Sequence, residues 1–140
     1  MGAPLYLDTS AVLRAVLEAG TTPDLEARIR AAPILVASRL VLVESGRALL
    51  RLRATGQVPE QRLADAERDI AAVLARCEIW ELNRAVCDLA RQVAPTKPLR
   101  SLDALHLATF VLARRRIENL ELVSADARLL DAAAVAGGGL

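Results

Sequence analysis

Apolar positions along this chain follow two rhythms. Short unbroken runs read as strands packed on both faces, and longer stretches with apolar residues three and four apart read as helices. Leu5-Tyr6-Leu7 is the first run, bounded by Pro4 and closing on Asp8-Thr9-Ser10. Thr9 to Glu18 then carries Val12, Leu13, Val16 and Leu17 at helical spacing and stops at Gly20. Thr22-Pro23-Asp24 opens a second short helix with Leu25 and Ile29 on one face, proline suiting an early helical position. Pro33 to Ala37 is the second run, after which Ser38 is predicted to cap a long helix from about Arg39 to Thr55, ended by Gly56. Another helix is expected over Pro59 to Arg76, striped by Leu63, Ala66, Ile70, Val73 and Leu74. The third run is Ile79 to Leu82, and Asn83 caps a helix to about Ala94. Beyond the stiff loop Pro95-Thr96-Lys97-Pro98, Ser101 is predicted to cap an apolar helix to Arg116. Leu120 to Ser124 is the fourth run, and Ala125 to Ala136 the last helix.

Strands alternating with helices predict an α/β fold, with a short parallel sheet of about four strands flanked by helices on both faces. One domain over residues 1–136 is expected, followed by a flexible tail at 137–140 that includes three glycines. A length of 140 residues suits a single core.

Composition narrows the function classes. Hydrophobic residues make up 54% and aromatics 2%, so the core is aliphatic and a platform that stacks bases on exposed rings is excluded. A net charge of +1 is too small for binding nucleic acid by bulk charge, which leaves only a local patch for such a role. Lys97 is the sole lysine; the arginine bias reflects either genomic base composition or phosphate recognition. Cys77 and Cys87, both on segments read as helical, form no CxxC pair and are expected to be reduced. With no charged-then-apolar leader and no uncharged run near the ~18 residues that span a bilayer, a soluble cytoplasmic protein is expected.

Four acids fall where they could converge. Asp8 ends the first strand, Glu44 lies early in the helix after the second, Asp103 is in the first turn after Ser101, and Asp126 follows the fourth strand. In a parallel sheet Asp8, Glu44 and Asp126 share the carboxyl end, where open α/β sheets bind ligands. Glu44 is about 7–8 Å along its helix at ~1.5 Å per residue, and helical side chains lean back toward the N-terminus. Strand logic does not place Asp103, because a loop precedes its helix. Clustered carboxylates repel one another unless neutralised, and a hard divalent cation is the usual solution. Each acid also has a plain structural reading: Asp8 as an N-cap, Asp103 and Asp126 as dipole partners, and Glu44 with Arg47 and Arg51 as a solvated face.

Tyr6-Leu7-Asp8-Thr9-Ser10-Ala11, then Ser101-Leu102-Asp103-Ala104-Leu105-His106-Leu107-Ala108, then Leu122-Val123-Ser124-Ala125-Asp126 resemble the signatures of the PIN-domain family, and more closely its VapC-type toxins. The pattern runs from Leu5 to about Leu130. The resemblance implies a Mg²⁺- or Mn²⁺-dependent endoribonuclease that cuts RNA by in-line attack of activated water. Asp8, Glu44, Asp103 and Asp126 match the family's acidic quartet, with Thr9, Ser10 and Ser124 as supporting hydroxyls. It also implies a homodimer held inactive by a cognate VapB-type antitoxin, with contact surfaces among the helices between Pro23 and Arg76. Arg39, Arg47 and Arg51 are candidate phosphate contacts. His106, the only histidine, is expected to pack and hydrogen-bond rather than act as a base.

Other classes fit less well. Transfer through an aspartyl-phosphate would want an acid two residues after Asp8, where Ser10 stands. A phosphoacceptor receiver would want an acidic pair near the first strand, an aspartate ending the third and a lysine near a later one, a set that Asn83 and the lone Lys97 do not supply. A non-catalytic α/β binding module whose acids are helix caps remains as the alternative.

Overall fold

A computed structural model describes residues 2–138, with side chains through Ala136. Four strands form one fully parallel sheet: β1 (Leu5–Leu7), β2 (Leu35–Ser38), β3 (Cys77–Trp80) and β4 (Glu121–Val123). Their spatial order is β3-β2-β1-β4, with Leu5, Tyr6 and Leu7 pairing to Leu35, Val36 and Ala37 on one side and to Glu121, Leu122 and Val123 on the other. β1 coincides with the run read in the sequence and β4 lies within its run, while β2 and β3 are displaced by one or two residues, so that Cys77 opens a strand rather than lying on a helix. Ser38 is the last residue of β2, and its hydroxyl accepts the Leu40 N–H at 3.1 Å, so it serves the next helix from one residue outside the cap position.

The crossovers explain where the helices lie. The chain passes from β1 to β2 through α1 (Thr9–Leu17) and α2 (Pro23–Ala31), and from β2 to β3 through α3 (Leu40–Thr55) and α4 (Glu60–Ala75). It then doubles back past β2 and β1 through α5 (Arg84–Ala90) and α6 (Ser101–Arg114) to reach β4, and closes with α7 (Ala127–Gly138). Right-handed crossovers moving in opposite directions put their helices on opposite faces. Accordingly Leu5, Leu7, Leu35 and Ala37 pack with Val12, Ile29, Val41 and Leu63 from α1 to α4. Tyr6 and Val36, one residue out of phase, pack with Leu107, Phe110, Val111, Leu129 and Ala132 from α6 and α7. β1 is central and covered twice, which is why its three residues are all apolar and fully buried.

Helix ends follow local chemistry. Asn83 caps α5 by accepting the Val86 N–H at 3.0 Å. Gly56 ends α3 at φ +65°, a left-handed conformation that glycine adopts without strain. α5 is shorter than expected and stops at Ala90, before turns that lead into the proline loop. Ser101 is the first residue of α6 and makes no capping bond; Arg100 holds the cap position. α7 is described through Gly138, and the rest of the expected tail lies outside the described residues. No helix of the described residues is long and apolar enough to cross a membrane.

Candidate active site

The strand order reverses at β1, so the crevice between the carboxyl ends of β1 and β4 is the topological switch point. Asp8 sits there, one residue beyond β1, and its N–H extends the ladder to Val123 O at 3.2 Å. The carboxylate is 5% exposed and fully engaged. Oδ1 accepts the Ala11 N–H at 2.9 Å, which makes Asp8 the N-cap of α1, and also the Ser10 hydroxyl at 2.7 Å. Oδ2 accepts the Ser124 hydroxyl at 2.5 Å from across the switch point. Cap and candidate site are therefore one residue.

Two serines join the strand ends. Ser124 Oγ donates to Asp8 and accepts the Asp126 N–H at 2.9 Å. Ser10 Oγ donates to Asp8 and accepts the Ala125 N–H at 2.9 Å. Asp126 lies just before α7 rather than in its first turn, and its Oδ1 accepts the Arg128 N–H at 2.9 Å as a cap would. Asp103 is in the first turn of α6, half-buried, and makes no hydrogen bond among the described residues.

Glu44 projects from the second turn of α3. Its Oε1 accepts the Thr9 hydroxyl at 2.6 Å and contacts His106 Nε2 at 2.7 Å. His106 is 4% exposed, and its Nδ1 meets Tyr6 Oη at 3.0 Å. Burial opposes the charge on Glu44 and is the largest single influence on it. The hydrogen bonds from His106 and Thr9 together outweigh that and hold the carboxyl below its ordinary value. Burial raises the Tyr6 phenol well above its usual range, so it stays protonated.

A depressed folded-state pKa gives stability that is complete above the unfolded value and lost as pH falls through the folded one. The Glu44 contribution is thus present at neutral pH and disappears below the ordinary value of 4.5. In urea titrations at stepped pH, the gap between wild type and Glu44→Gln narrows as the pH drops below that value. A gap constant down to acid pH contradicts this reading of Glu44.

Glu44, Asp103 and Asp126 line one cleft of about 480 Å³ together with Arg100, Ser101, Leu102 and Arg128. Asp8 is tied into its wall through Ser124, which also holds the Asp126 backbone. The structure thus brings three of the four expected acids to one cavity; Asp8 does not line it and is joined to it through Ser124 and the Asp126 backbone. They do not converge on a point: among the described residues no group of three or more histidine, cysteine, aspartate or glutamate side chains is close enough to hold a metal ion. The donor chemistry nevertheless fits a hard cation, since the donors are all carboxylate oxygens. Among the described residues neither the Asp103 carboxylate nor Glu44 Oε2 has a hydrogen-bond partner.

The arginines divide differently from expectation. Arg39 is engaged by both oxygens of Glu81 on the surface. Arg47 and Arg51 are exposed and have no carboxylate partner among the described residues. Arg100 and Arg128, which the sequence reading passed over, are the ones that line the acidic cleft. Their positions carried the signal: one precedes the helix of Asp103, and the other lies two residues after Asp126. The link from His106 to Glu44 was also missed, although His106 lies one turn beyond Asp103 on the same helix.

Parallel topology, helices on both faces and acids gathered at the switch point define an α/β domain with an acidic crevice. The PIN-domain family model matches residues 5–135, and the chain belongs to that family. It is 30% identical over 135 residues to Ribonuclease VapC46 of Mycobacterium tuberculosis, covering 96% of this chain and 94% of that protein. Among solved structures, PAE2754 of Pyrobaculum aerophilum superposes with a TM-score of 0.65 at 23% identity, over 93% of this chain and 79% of the other. VapBC2 of Rickettsia felis, bound to a DNA fragment from their promoter, superposes at 0.58 with 16% identity, over 88% of this chain and 99% of the other. These two likenesses support the fold.

Proposed function

We propose that this chain is a divalent-metal-dependent endoribonuclease, the toxin of a toxin–antitoxin pair, acting in the cytoplasm as a homodimer. The observation that carries the reading is the single cleft lined by Glu44, Asp103 and Asp126 at the switch point that Asp8 and Ser124 bridge. Full-length similarity to a ribonuclease supports it.

Asp8, Glu44, Asp103 and Asp126 would hold Mg²⁺ or Mn²⁺. Such a cation, when bound, supplies positive charge against a phosphodiester and makes water a better nucleophile. The chain's own residues do the rest. Ser10 and Ser124 fix both oxygens of Asp8, and Thr9 fixes one of Glu44. Arg100 and Arg128 at the cleft offer planar, paired donors to phosphate oxygens. Water then attacks phosphorus in line with the departing ribose oxygen.

A groove of about 390 Å³ between α1, α3 and α4, floored by Val16, Leu17, Leu52, Val58, Leu63 and Ala66, offers an antitoxin an apolar seat. A solved toxin–antitoxin assembly of the same fold supports a partner of that class.

The alternative, a binding module with capping acids, has one point in its favour: Asp8 and Asp126 do cap α1 and α7. It gives no reason for Asp103, whose side chain has no hydrogen-bond partner among the described residues, to line the same cleft.

Expression of the chain alone in a bacterial host separates the two readings. Growth arrest is expected, together with fragmentation of cellular RNA, and both should vanish with Asp8→Asn and with Asp103→Asn. Arrest that persists in both variants would sink the nuclease reading.

A further inference from the structure

Glu44 and Asp103 come from different elements, α3 and α6, yet a productive site needs them in fixed relative positions. His106 joins the two. It stands on α6 one turn beyond Asp103, is 4% exposed, and reaches Glu44 Oε1 at 2.7 Å. We propose that His106 is a positioning residue whose Nε2–H, held in that tautomer by Tyr6, pins Glu44 Oε1 and leaves Oε2 as the oxygen offered to the crevice. The inference rests on the nuclease reading and adds a role for a residue outside the acidic quartet.

The tautomer follows from who can donate. An ionised carboxylate has no proton to give, so the nitrogen beside it donates. In the neutral ring Nδ1 is then the acceptor, and the Tyr6 hydroxyl at 3.0 Å donates to it. Tyr6 is itself held: it is fully buried, with its ring edge-on to Phe110 at 5.8 Å and to His106 at 6.2 Å. The Thr9 hydroxyl completes the grip on Oε1 at 2.6 Å. Tyr6 on β1 thus donates to His106 on α6, and His106 to Glu44 on α3, in one hydrogen-bonded chain that ends at the crevice. A ligand's orienting partner of this kind changes metal affinity by about 10–100-fold when removed.

Because His106 is the only histidine, ¹⁵N labelling of histidine gives a single pair of ring nitrogen signals. The experiment records that pair in the wild type and measures Mn²⁺ affinity by calorimetry in the wild type, Tyr6→Phe, His106→Leu and His106→Gln. The Nε2–H pattern is expected in the wild type, with Mn²⁺ binding about 10–100-fold weaker in His106→Leu. His106→Gln, which keeps an N–H donor, should recover most of the loss, and Tyr6→Phe should weaken binding by up to about tenfold. A Nδ1–H tautomer overturns the inference, as does a folded His106→Leu that binds Mn²⁺ like the wild type. If His106→Leu does not fold, the tautomer and Tyr6→Phe decide. A wild type that takes up no Mn²⁺ removes the nuclease reading and this inference with it; a wild type that binds and cleaves beside an equally good His106→Leu removes the inference alone.

Discussion

Asp103→Asn is expected to abolish RNA cleavage while leaving the protein as stable as the wild type. Asp103 lines the cleft from the first turn of α6, half-buried, with no hydrogen-bond partner among the described residues. Folding gains little from it beyond its interaction with the helix dipole, about 0.3–1 kcal/mol at most. Function is another matter. A cation in such a site stabilises transition-state charge by several kcal/mol, and ~1.36 kcal/mol is tenfold in rate. Loss of one ligand charge should therefore slow cleavage by about a thousandfold or more. Thermal unfolding and single-turnover cleavage on the same preparation check both halves. A variant that cleaves within tenfold of the wild type removes Asp103 from the site.

Asp8→Asn is expected to lose activity to a similar extent and to lose stability as well. The two aspartates differ in what they already do. Asp8 accepts from Ser10, Ala11 and Ser124, and so holds the start of α1 to the end of β4. An amide keeps one acceptor oxygen and turns the other position into a donor that faces a hydroxyl. That hydroxyl, on Ser124, already accepts the Asp126 N–H. Hydrogen bonds to a charged group contribute about 1.5–3 kcal/mol, so a loss of about 1–3 kcal/mol is expected in urea unfolding. Unchanged stability would mean that the three contacts contribute nothing to the fold.

This contrast bears on what the sequence makes legible. Three-residue apolar runs ending in hydroxyls and acids disclosed the parallel sheet, because a strand covered on both faces has no polar side to show. The same runs put Asp8, Glu44 and Asp126 at one sheet end, where the cleft lies. Asp103 resisted because the reading looked backward, to the loop before its helix. Looking forward settles it: α6 leads into β4, so its first turn must start near the carboxyl ends of the strands. Ser101 misled because a serine beside an acidic turn resembles a cap, whereas the cap position falls one residue earlier, at Arg100, and the helix opens on Ser101 itself. Cys77 misled because its neighbours continue the helical stripe of α4 up to the point where β3 begins. The grip of His106 and Tyr6 on Glu44 could not be read at all. It joins residues 62 and 100 positions apart through packing across the sheet, and no local spacing encodes it.

The acids of the cleft are held by different structural bonds, and they do not meet at a point among the described residues. Asp126 Oδ1 is occupied by the Arg128 N–H and Glu44 Oε1 by His106 and Thr9, while the Asp103 carboxylate has no partner among the described residues. Each carboxylate satisfied on one oxygen keeps the other for the crevice.

The central claim is that these carboxylates make a metal-dependent ribonuclease, and cleavage by the purified chain tests it most directly. Wild-type protein freed of any partner is incubated with a structured RNA in the presence of EDTA, then with Mg²⁺ or Mn²⁺ restored in excess. The account predicts intact RNA under EDTA, discrete cleavage once either ion is restored, and no cleavage by Asp103→Asn under any of these conditions. Cleavage that proceeds equally in EDTA, or equally with Asp103→Asn, would contradict it.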